Sequence, residues 1–284
     1  MTIRSSVRRK TILGMVGTTL IGCGLFAIEA LALPIEQVVQ KLNPVPVFTI
    51  ADDTGAPIVA NGENGVKTAG VFISQQDANN FVARLQTENP TLASKIEIVP
   101  VSLGKVFTLA NDDSNSNRLN FAYIPKEANV NDAKNLTTQY EGGVPLFVAK
   151  DGQNNGYLTI ERDGQQVIPF FFEKSQLDNM VEKLKTQKPD LAPTVSIEVV
   201  SLEGVIQTLE NSNDLMLSKI VLVPSTESLQ FLSQVSQDSS KTSTNNINRT
   251  NSEAIEEDLR QIREANRAGI EAMKIQQECI PICW

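Results

Sequence analysis

Strand-like and helix-like patterns of apolar residues alternate along this chain, and the same series of patterns occurs twice. The segment Val45–Phe48, which is typical of a strand, returns 99 residues later as Val144–Phe147. Because one offset holds through strand, helix and strand patterns, we predict a duplicated domain. The apolar positions of an amphipathic helix return at the same distance, with Ala78, Phe81, Val82 and Leu85 corresponding to Leu177, Met180, Val181 and Leu184.

Each repeat is predicted to form a small sheet packed by an amphipathic helix. The fold class is therefore α+β, with two pseudo-symmetric repeats at an offset of 99. The first repeat spans residues 33–140 and the second spans 141–236. The pair Asp163-Gly164 predicts a tight hairpin turn in the second repeat. Strands are expected over 45–51, 71–73, 96–101, 118–124, 146–149, 157–162, 166–172, 195–200 and 219–223.

The principal helix of the first repeat has clear signals at both ends. Ser74 is a favourable capping residue, and Asp77 follows it in the position of a capping box. The helix is expected to stop at Asn89, because a residue that precedes proline is pushed out of helical geometry. Other helices are expected over 34–43, 103–109, 127–140, 175–185, 202–209 and 227–235.

Residues 1–32 are predicted to be an export signal. Four basic residues within the first ten precede a long apolar run, and Ala30-Leu31-Ala32 supplies the small residues of a signal-peptidase site. No stable membrane insertion is expected after cleavage. Two alternatives remain open: the run is long enough to be an uncleaved anchor, and Leu20–Cys23 resembles a lipoprotein box that would make Cys23 lipidated.

The C-terminal part of the chain has a different composition from the repeats. Residues 237–252 are rich in serine, threonine and asparagine, which predicts a flexible linker. Residues 253–277 predict a charged helix within a tail that ends at 284, and its apolar line favours docking on the body of the protein over a coiled coil. Cys279 and Cys283 are either bridged by a local disulfide or present as two free thiols.

Charge and the absence of histidine limit the classes of function. The chain has a formal net charge of −8, and removal of residues 1–32 takes away four of its 25 basic and one of its 33 acidic residues, leaving −11. An acidic surface opposes binding to phosphate backbones, so we expect no nucleic-acid partner. The chain contains no histidine, which excludes histidine-dependent triads and histidine-ligated zinc.

The sequence motifs that could indicate an enzyme are weak. Asp53-Thr54-Gly55 matches the catalytic triplet of aspartic proteases, but that chemistry needs two carboxylates, and the repeat places Gly152-Gln153-Asn154 at the corresponding positions. A turn explains the triplet better. No Cys-x-x-Cys pair, glycine-rich phosphate loop or metal-ligand cluster occurs in the sequence. We therefore expect no catalytic residues, metal or cofactor, with a thiol oxidoreductase or aspartic-protease-like enzyme as the alternative.

The strongest signal for function is the apolar character of two equivalent strands. Val71–Ile73 and Phe170–Phe172 are apolar at three successive positions, so both faces of each strand are apolar. One face should pack under the amphipathic helix. The other face is either buried between the repeats or exposed as a groove for apolar polypeptide. Under the second hypothesis the polypeptide-binding residues are Phe48, Phe72, Phe147 and Phe171.

The order of these motifs resembles a known family. The chain is similar to cyanobacterial members of the Tic family of twenty-two-kilodalton type, named for the translocon at the inner envelope of chloroplasts. The resemblance covers roughly residues 34–235, and its strength lies in the order of short motifs. These motifs are Asn43–Phe48, Val71–Ser74, Asn89–Leu92, Gly143–Phe147 and Pro189–Leu191.

The resemblance implies a soluble, non-enzymatic protein of two α/β halves with apolar pockets suited to polypeptide. It implies a periplasmic or thylakoid-lumen location and a link to protein import, protein transport and outer-membrane biogenesis. The expected partners are unfolded or precursor polypeptides, together with outer-membrane assembly or translocon proteins. A structural adaptor that uses the helix 253–277 to hold a partner remains an alternative from another class.

Overall fold

The structure is a computed structural model of the whole chain. It describes residues 33–62, 66–112, 119–151, 156–189, 192–212, 214–239, 249–267 and 274–280. The predicted export signal and Cys23 lie outside the described residues, and so does Cys283. Within the described part of the chain, no helix is both long enough and apolar enough to cross a membrane.

Five strands from the first half of the chain form one sheet. They are β1 (Pro46–Asp52), β2 (Val59–Asn61), β3 (Lys67–Phe72), β4 (Ile96–Ser102) and β5 (Leu119–Ile124). Strand β1 pairs in antiparallel orientation with both β3 and β4, and Phe48 lies opposite Phe72. Strand β3 also pairs with β2 in antiparallel orientation and with β5 in parallel orientation.

The second sheet repeats these pairings. Its strands from the second half are β6 (Pro145–Asp151), β7 (Tyr157–Arg162), β8 (Gln165–Phe171), β9 (Val195–Ser201) and β10 (Ile220–Val223). Strand β6 pairs with β8 and β9, and β8 pairs with β7 and, in parallel orientation, with β10. Phe147 lies opposite Phe171, 99 residues after the pair Phe48 and Phe72. The register of the central strands is therefore the same in both sheets.

The predicted helices of the two halves begin within one residue of the predicted positions, but Glu127–Leu136 ends four residues early and Thr226–Ser239 ends four residues late. The short helix Pro90–Ala93 was not predicted. The Ser74 hydroxyl accepts a hydrogen bond from the backbone N–H of Asp77, and the helix it caps ends before Pro90. Asp163 and Gly164 have φ angles of 53° and 74°, which confirms the predicted hairpin turn. The helices are α1 (Ile35–Leu42), α2 (Gln75–Glu88), α3 (Pro90–Ala93), α4 (Leu103–Ala110), α5 (Glu127–Leu136), α6 (Lys174–Gln187), α7 (Leu202–Asn211), α8 (Thr226–Ser239) and α9 (Arg249–Arg267). The α+β class is confirmed.

Alternate residues of the central strands enter different apolar cores, as the period of a strand requires. Val47 and Phe170 lie in a core that both halves share, together with the buried faces of α1, α4 and α7. Their neighbours Phe48 and Phe171 point to the opposite sides of the two sheets. The second face of each apolar strand is thus buried between the halves, and the described residues form no open groove at that face.

The C-terminal tail differs from its prediction. The helix begins at Arg249 and ends at Arg267, and Lys274–Ile280 forms strand β11, which pairs in antiparallel orientation with β7. The prediction of a helix as far as residue 277 is wrong, because the edge of β7 offers backbone hydrogen-bond groups that a local pattern cannot reveal. The predicted linker is shortened as well, since α8 runs to Ser239.

Candidate functional site

The structure buries all four phenylalanines that the sequence assigned to polypeptide binding. Phe48, Phe72, Phe147 and Phe171 are core residues, and Phe72, at 4 % exposure, is the most exposed of them. None of the four side chains lines an open surface in this conformation. Their role in binding polypeptide stays a prediction that would require the covering helices to move. A binding surface must therefore come from apolar groups around them that water can reach.

Each pair of phenylalanines belongs to an apolar cluster on the outer side of its sheet. We call these the first and second outer clusters. The first contains Phe48, Ile50, Phe72 and Ala78, with Ile58, Val82, Ile96, Ile98, Ile124 and Phe231 half-buried around them. The second contains Ala133, Phe147, Ala149, Leu158, Ile160, Val167, Phe171, Leu177, Met180, Leu184 and Val223.

The two outer clusters are covered unequally. Helix α6 buries three apolar side chains in the second cluster, whereas the equivalent helix α2 buries only Ala78 in the first. The position that holds Met180 in α6 holds Phe81 in α2, and their exposures are 7 % and 37 %. Ala78 is also much smaller than its counterpart Leu177. The first outer cluster therefore has the thinner cover and is the candidate site.

Two aromatic rings complete the cover of this cluster. The ring of Phe81 packs on Phe72 in a tilted arrangement, with centroids 5.5 Å apart. The ring of Phe231, on α8, meets Phe48 edge-to-face at 5.2 Å. Such ring pairs add about 0.5–1.5 kcal/mol each beyond the apolar area they bury. Because α8 follows the second sheet, the cover of the first outer cluster depends on a helix from the other half of the chain.

An ionic network joins the halves beside the candidate site. Lys126 Nζ lies 3.3 Å from Glu173 Oε1 and 3.4 Å from Glu227 Oε2. The Ser74 hydroxyl donates to Glu227 at 3.1 Å, and the backbone N–H of Thr226 donates to Glu173 at 3.0 Å. Burial opposes the charge on Lys126, but the two carboxylates outweigh it and raise its pKa. The network holds the N-terminal ends of α2, α6 and α8 together.

Asp77 lies next to this network, in surroundings that disfavour the negative charge of its carboxylate. Burial and then the nearby Glu227 carboxylate raise the pKa of Asp77. Its Oδ2 atom is buried without a hydrogen-bond partner. An ionised Asp77 therefore weakens the contact between the first turns of α2 and α8.

Helix α9 adds a further layer over α8. Leu259 and Ile262 are buried against Leu232 of α8, with Phe231 and Ile255 half-buried beside them. The helix also lies along β4, the strand at the border of the first sheet. The predicted docking of this helix on the body of the protein agrees with the structure. That packing weakens the adaptor hypothesis, because the apolar line of the helix is already in use.

A second candidate is a cavity of about 380 Å³ beside α1 and the second sheet. Lys41 Nζ donates to the carbonyl oxygens of Ser218 at 2.6 Å and Ile220 at 3.1 Å. Burial lowers the pKa of Lys41 to about 8. The cavity is lined by Gln37, Gln40, Lys41, Pro44, Arg162, Ser218, Ile220 and Val221. Lys41 and Arg162 bring two basic side chains into this cavity, which distinguishes it from the wholly apolar outer clusters.

The residues of the enzyme hypotheses are not members of the first outer cluster. Asp53 is exposed in a turn that Asp52 organises, because the Asp52 carboxylate accepts hydrogen bonds from the N–H groups of Thr54 and Ala56. Gly55 has a φ of 82° in this turn, which agrees with the turn interpretation. Cys279 lies on β11, opposite Leu158. Its pairing with Cys283 stays a prediction, because Cys283 is outside the described residues.

Comparison with known proteins identifies the family to which this fold belongs. The model of the Tic22-like family matches residues 4–238. This chain belongs to the Tic22-like family. The resemblance inferred from the order of motifs is thereby confirmed. Helix α9 begins at Arg249, beyond the end of the match.

Plant relatives share limited sequence with this Tic22-like chain. Protein TIC 22, chloroplastic, of Pisum sativum is 22 % identical over 187 residues, which is 64 % of this chain and 70 % of that protein. Its counterpart in Arabidopsis thaliana is 23 % identical over 181 residues. The matched segment covers 62 % of the Arabidopsis protein, slightly less than two thirds of its length.

Solved structures of the family have the same fold. The structure of Anabaena Tic22, described as a protein of protein transport, has a TM-score of 0.63 and 26 % sequence identity. It covers 71 % of this chain and 97 % of its own. Tic22 from Plasmodium falciparum has a TM-score of 0.58 at 23 % identity, which supports the fold alone, and covers 71 % of this chain and 98 % of its own.

Sequence reasoning missed the residues that make the first outer cluster distinctive. Phe81 was recognised only as a member of a helical pattern, and Phe231 was not singled out. The signal was available in the repeat, since small Ala78 stands where the second repeat has Leu177. A smaller side chain at the corresponding position of one of two similar cores indicates that another element fills the space or that the cover is thin.

Proposed function

We propose that this protein is a non-enzymatic, exported transport factor that holds apolar segments of unfolded or precursor polypeptides in transit. The proposal includes a chaperone-like action in the periplasm or thylakoid lumen and a link to outer-membrane biogenesis. It is supported by membership of the Tic22-like family and by the Anabaena relative described as a protein of protein transport. The clients are precursor polypeptides, and translocon or outer-membrane assembly proteins are further partners.

The thin cover of the first outer cluster is the observation that carries this proposal. Phe81 presents more than a third of its surface to water directly above the buried Phe72. A client segment that packs on Phe81 and the half-buried Ile58 and Val82 removes apolar surface from water, worth about 25 cal/mol for each Å² buried. Binding of this kind is reversible and needs no particular side-chain sequence in the client.

The acidic charge of the protein fits the same role. Without residues 1–32 the chain has a formal net charge of −11, which keeps copies of the protein apart while one apolar surface is partly open. We also propose that the two halves arose by duplication and are related by a pseudo-two-fold arrangement. The repeated strand register supports this, because Phe48 lies opposite Phe72 in the first sheet and Phe147 lies opposite Phe171 in the second. Divergence at Ala78 and Phe81 then gave one outer cluster a thinner cover than the other.

Replacement of the exposed ring tests the function. A Phe81→Asp variant should keep its fold, because residue 81 reaches water, but lose most of its capacity to suppress the aggregation of a chemically unfolded outer-membrane β-barrel protein. Leu215→Asp is the matched control, since Leu215 is 78 % exposed. It belongs neither to the core shared by the halves nor to either outer cluster. Light scattering at increasing molar ratios of protein to client measures the effect.

The expected result is a loss of at least about fivefold in suppression for Phe81→Asp and little change for Leu215→Asp. Photo-crosslinking from position 81 in intact cells should capture precursor polypeptides. Equal suppression by the wild type and the Phe81→Asp variant would place client binding elsewhere. No suppression by the wild-type protein would refute the holding function itself.

A further inference from the structure

Helix α9 is an amphipathic helix that already occupies an apolar surface of its own protein. Its apolar contacts with α8 come from Ile255, Leu259 and Ile262. These residues stand at positions i, i+4 and i+7 and so share one face of the helix. The opposite face carries exposed Arg260 and Glu257, which pair with each other. The surface beneath it is formed by α8, through Leu232 and Phe231, and by the border strand β4.

This surface is continuous with the candidate site. Phe231 takes part in both apolar clusters, since it packs on Phe48 below and borders the Leu259 and Ile262 contact above. Removal of α9 would uncover Leu232 and one side of Phe231, beside the half-buried Ile98 of β4. The exposed apolar area would then extend from Phe231 towards the thin cover of the first outer cluster.

The contact of α9 contains features that favour release. Only Leu259 and Ile262 of its apolar line are fully buried. Asp258 is half-buried in the contact, where burial raises its pKa and Lys105 opposes that shift. The far end of α9 is anchored by a hydrogen bond from Asn266 Nδ2 to the carbonyl oxygen of Pro44, at 2.6 Å.

We infer that the surface of α8 and β4 is a receptor for amphipathic helices of client polypeptides, and that α9 is its intramolecular occupant. The inference rests on the proposed function and specifies the client: a helix with aliphatic residues at i, i+4 and i+7. In the resting protein α9 covers Leu232 and Phe231. A client helix displaces α9 by presenting the same apolar spacing, and the uncovered surface adds to the first outer cluster.

Competition follows from the covalent link between α9 and the surface that it covers, because α8 ends at Ser239 and α9 begins at Arg249. A helix tethered through so few residues to its own binding surface has an effective concentration of about millimolar order. Stable occupancy by α9 therefore requires only a modest intrinsic affinity, and a client with a better apolar fit can replace it. Weakening of α9 should raise the apparent affinity of the surface for a helix supplied in trans.

The experiment uses the full-length protein and a labelled peptide with the sequence of residues 249–267. The double variant Leu259→Ser/Ile262→Ser removes the two buried contacts of α9 and leaves α8 and β4 intact. The matched control is Gln261→Ser/Glu264→Ser, on exposed positions of the same helix. The control peptide carries serine at positions 259 and 262. Fluorescence anisotropy measures binding, and circular dichroism checks the fold of every variant.

We expect the variant without the two contacts to bind the peptide at least about tenfold more tightly than the wild type and the matched control do, with no binding of the serine peptide. Equal binding by all three proteins, or no binding by any of them, would overturn the inference. A Leu259→Ala variant provides a milder change if the double variant fails to fold, and it should give an intermediate affinity.

The outcomes for the inference and for the proposed function are separable. If the wild type suppresses client aggregation and the loss of α9 contacts changes neither suppression nor peptide binding, the inference fails and the function stands. If the double variant binds the peptide but no form of the protein suppresses aggregation, the helix receptor stands and the holding function fails.

Discussion

The same substitution at equivalent positions of the two repeats should have different consequences for stability. Phe81 and Met180 occupy the same position in α2 and α6, 99 residues apart, but the first is 37 % exposed and the second 7 %. We therefore compare Phe81→Asp with Met180→Asp. Both changes introduce the same carboxylate into the same turn of an equivalent helix, so differences in helix propensity nearly cancel.

At position 180 the cost has two parts. Loss of a fully buried methionine side chain costs about 1.5–3 kcal/mol. Placing a carboxylate in the second outer cluster, beside Leu177 and Leu184, adds several kcal/mol or forces the group to protonate. The total of about 4–6 kcal/mol is a large part of the free energy of unfolding of a typical domain, about 5–15 kcal/mol.

At position 81 the cost is smaller. The variant loses part of the burial of a phenylalanine, about 1–2 kcal/mol, because the wild-type ring is already partly in water. It also loses the ring contact with Phe72, worth about 0.5–1.5 kcal/mol. The new carboxylate reaches solvent, so it carries no large desolvation cost. We expect a total of about 1.5–3.5 kcal/mol.

Urea unfolding followed by far-ultraviolet circular dichroism measures both values in the same buffer. For a protein of this size, 1 kcal/mol corresponds to a change in Tm of about 2–4 °C, so thermal unfolding provides a second measurement. Equal destabilisation of the two variants, or a milder effect at Met180, would refute the unequal cover of the outer clusters. The choice of Phe81 as a contact for clients would then lose its basis.

Three further substitutions test the contacts of Asp77 and Ser74 beside the candidate site and the packing of Gly104 against Asn43. Asp77→Asn should stabilise the protein at neutral pH, because burial and Glu227 raise the pKa of Asp77 and so disfavour its ionised form in the folded state. The stability of the wild type therefore falls as pH rises through the folded-state pKa of Asp77. The advantage of the variant in urea unfolding should disappear below the unfolded-state pKa of 3.8. Ser74→Ala should cost about 1–2 kcal/mol in the same assay, since it removes the cap of α2 and the hydrogen bond to Glu227; an unchanged urea midpoint would contradict the role of this cap. Gly104→Ala should lower the Tm, because its new Cβ would lie 2.1 Å from Asn43 Oδ1, at a cost of about 1–3 kcal/mol for the overpacked contact. An unchanged Tm would contradict the close approach of α4 to Asn43.

Most secondary structure follows from local patterns. Strand β7, from Tyr157 to Arg162, has the predicted bounds, and the cap at Ser74 and the turn at Asp163 and Gly164 form as expected. These features depend on neighbours within a few residues, such as a hydroxyl next to a free N–H group. The largest difference is in the tail, where a helix was predicted for Lys274 to Gln277 but these residues form a strand paired with β7. That pairing depends on a strand more than a hundred positions earlier in the chain.

The candidate site was predictable only in part. The repeat and its apolar strands directed attention to Phe48 and Phe72, which do lie at the centre of the first outer cluster. A strand pattern indicates that a side chain is apolar and on which face it stands, but not what covers that face. The cover comes from Phe81 on a neighbouring helix and Phe231 on a distant one. Exposure is a property of the assembled layers, so it could not be read from the segment itself.

The sequence by itself determined the family, the α+β class and the repeated register, because hydrogen bonding and the periods of helices and strands act over short distances along the chain. Only the tertiary structure decided which apolar surfaces remain near water. It placed α8 of the second half over Phe48 of the first, and α9 over Leu232 of α8. Burial is settled by contacts between residues far apart in sequence, and a small difference such as Ala78 against Leu177 changes the outcome.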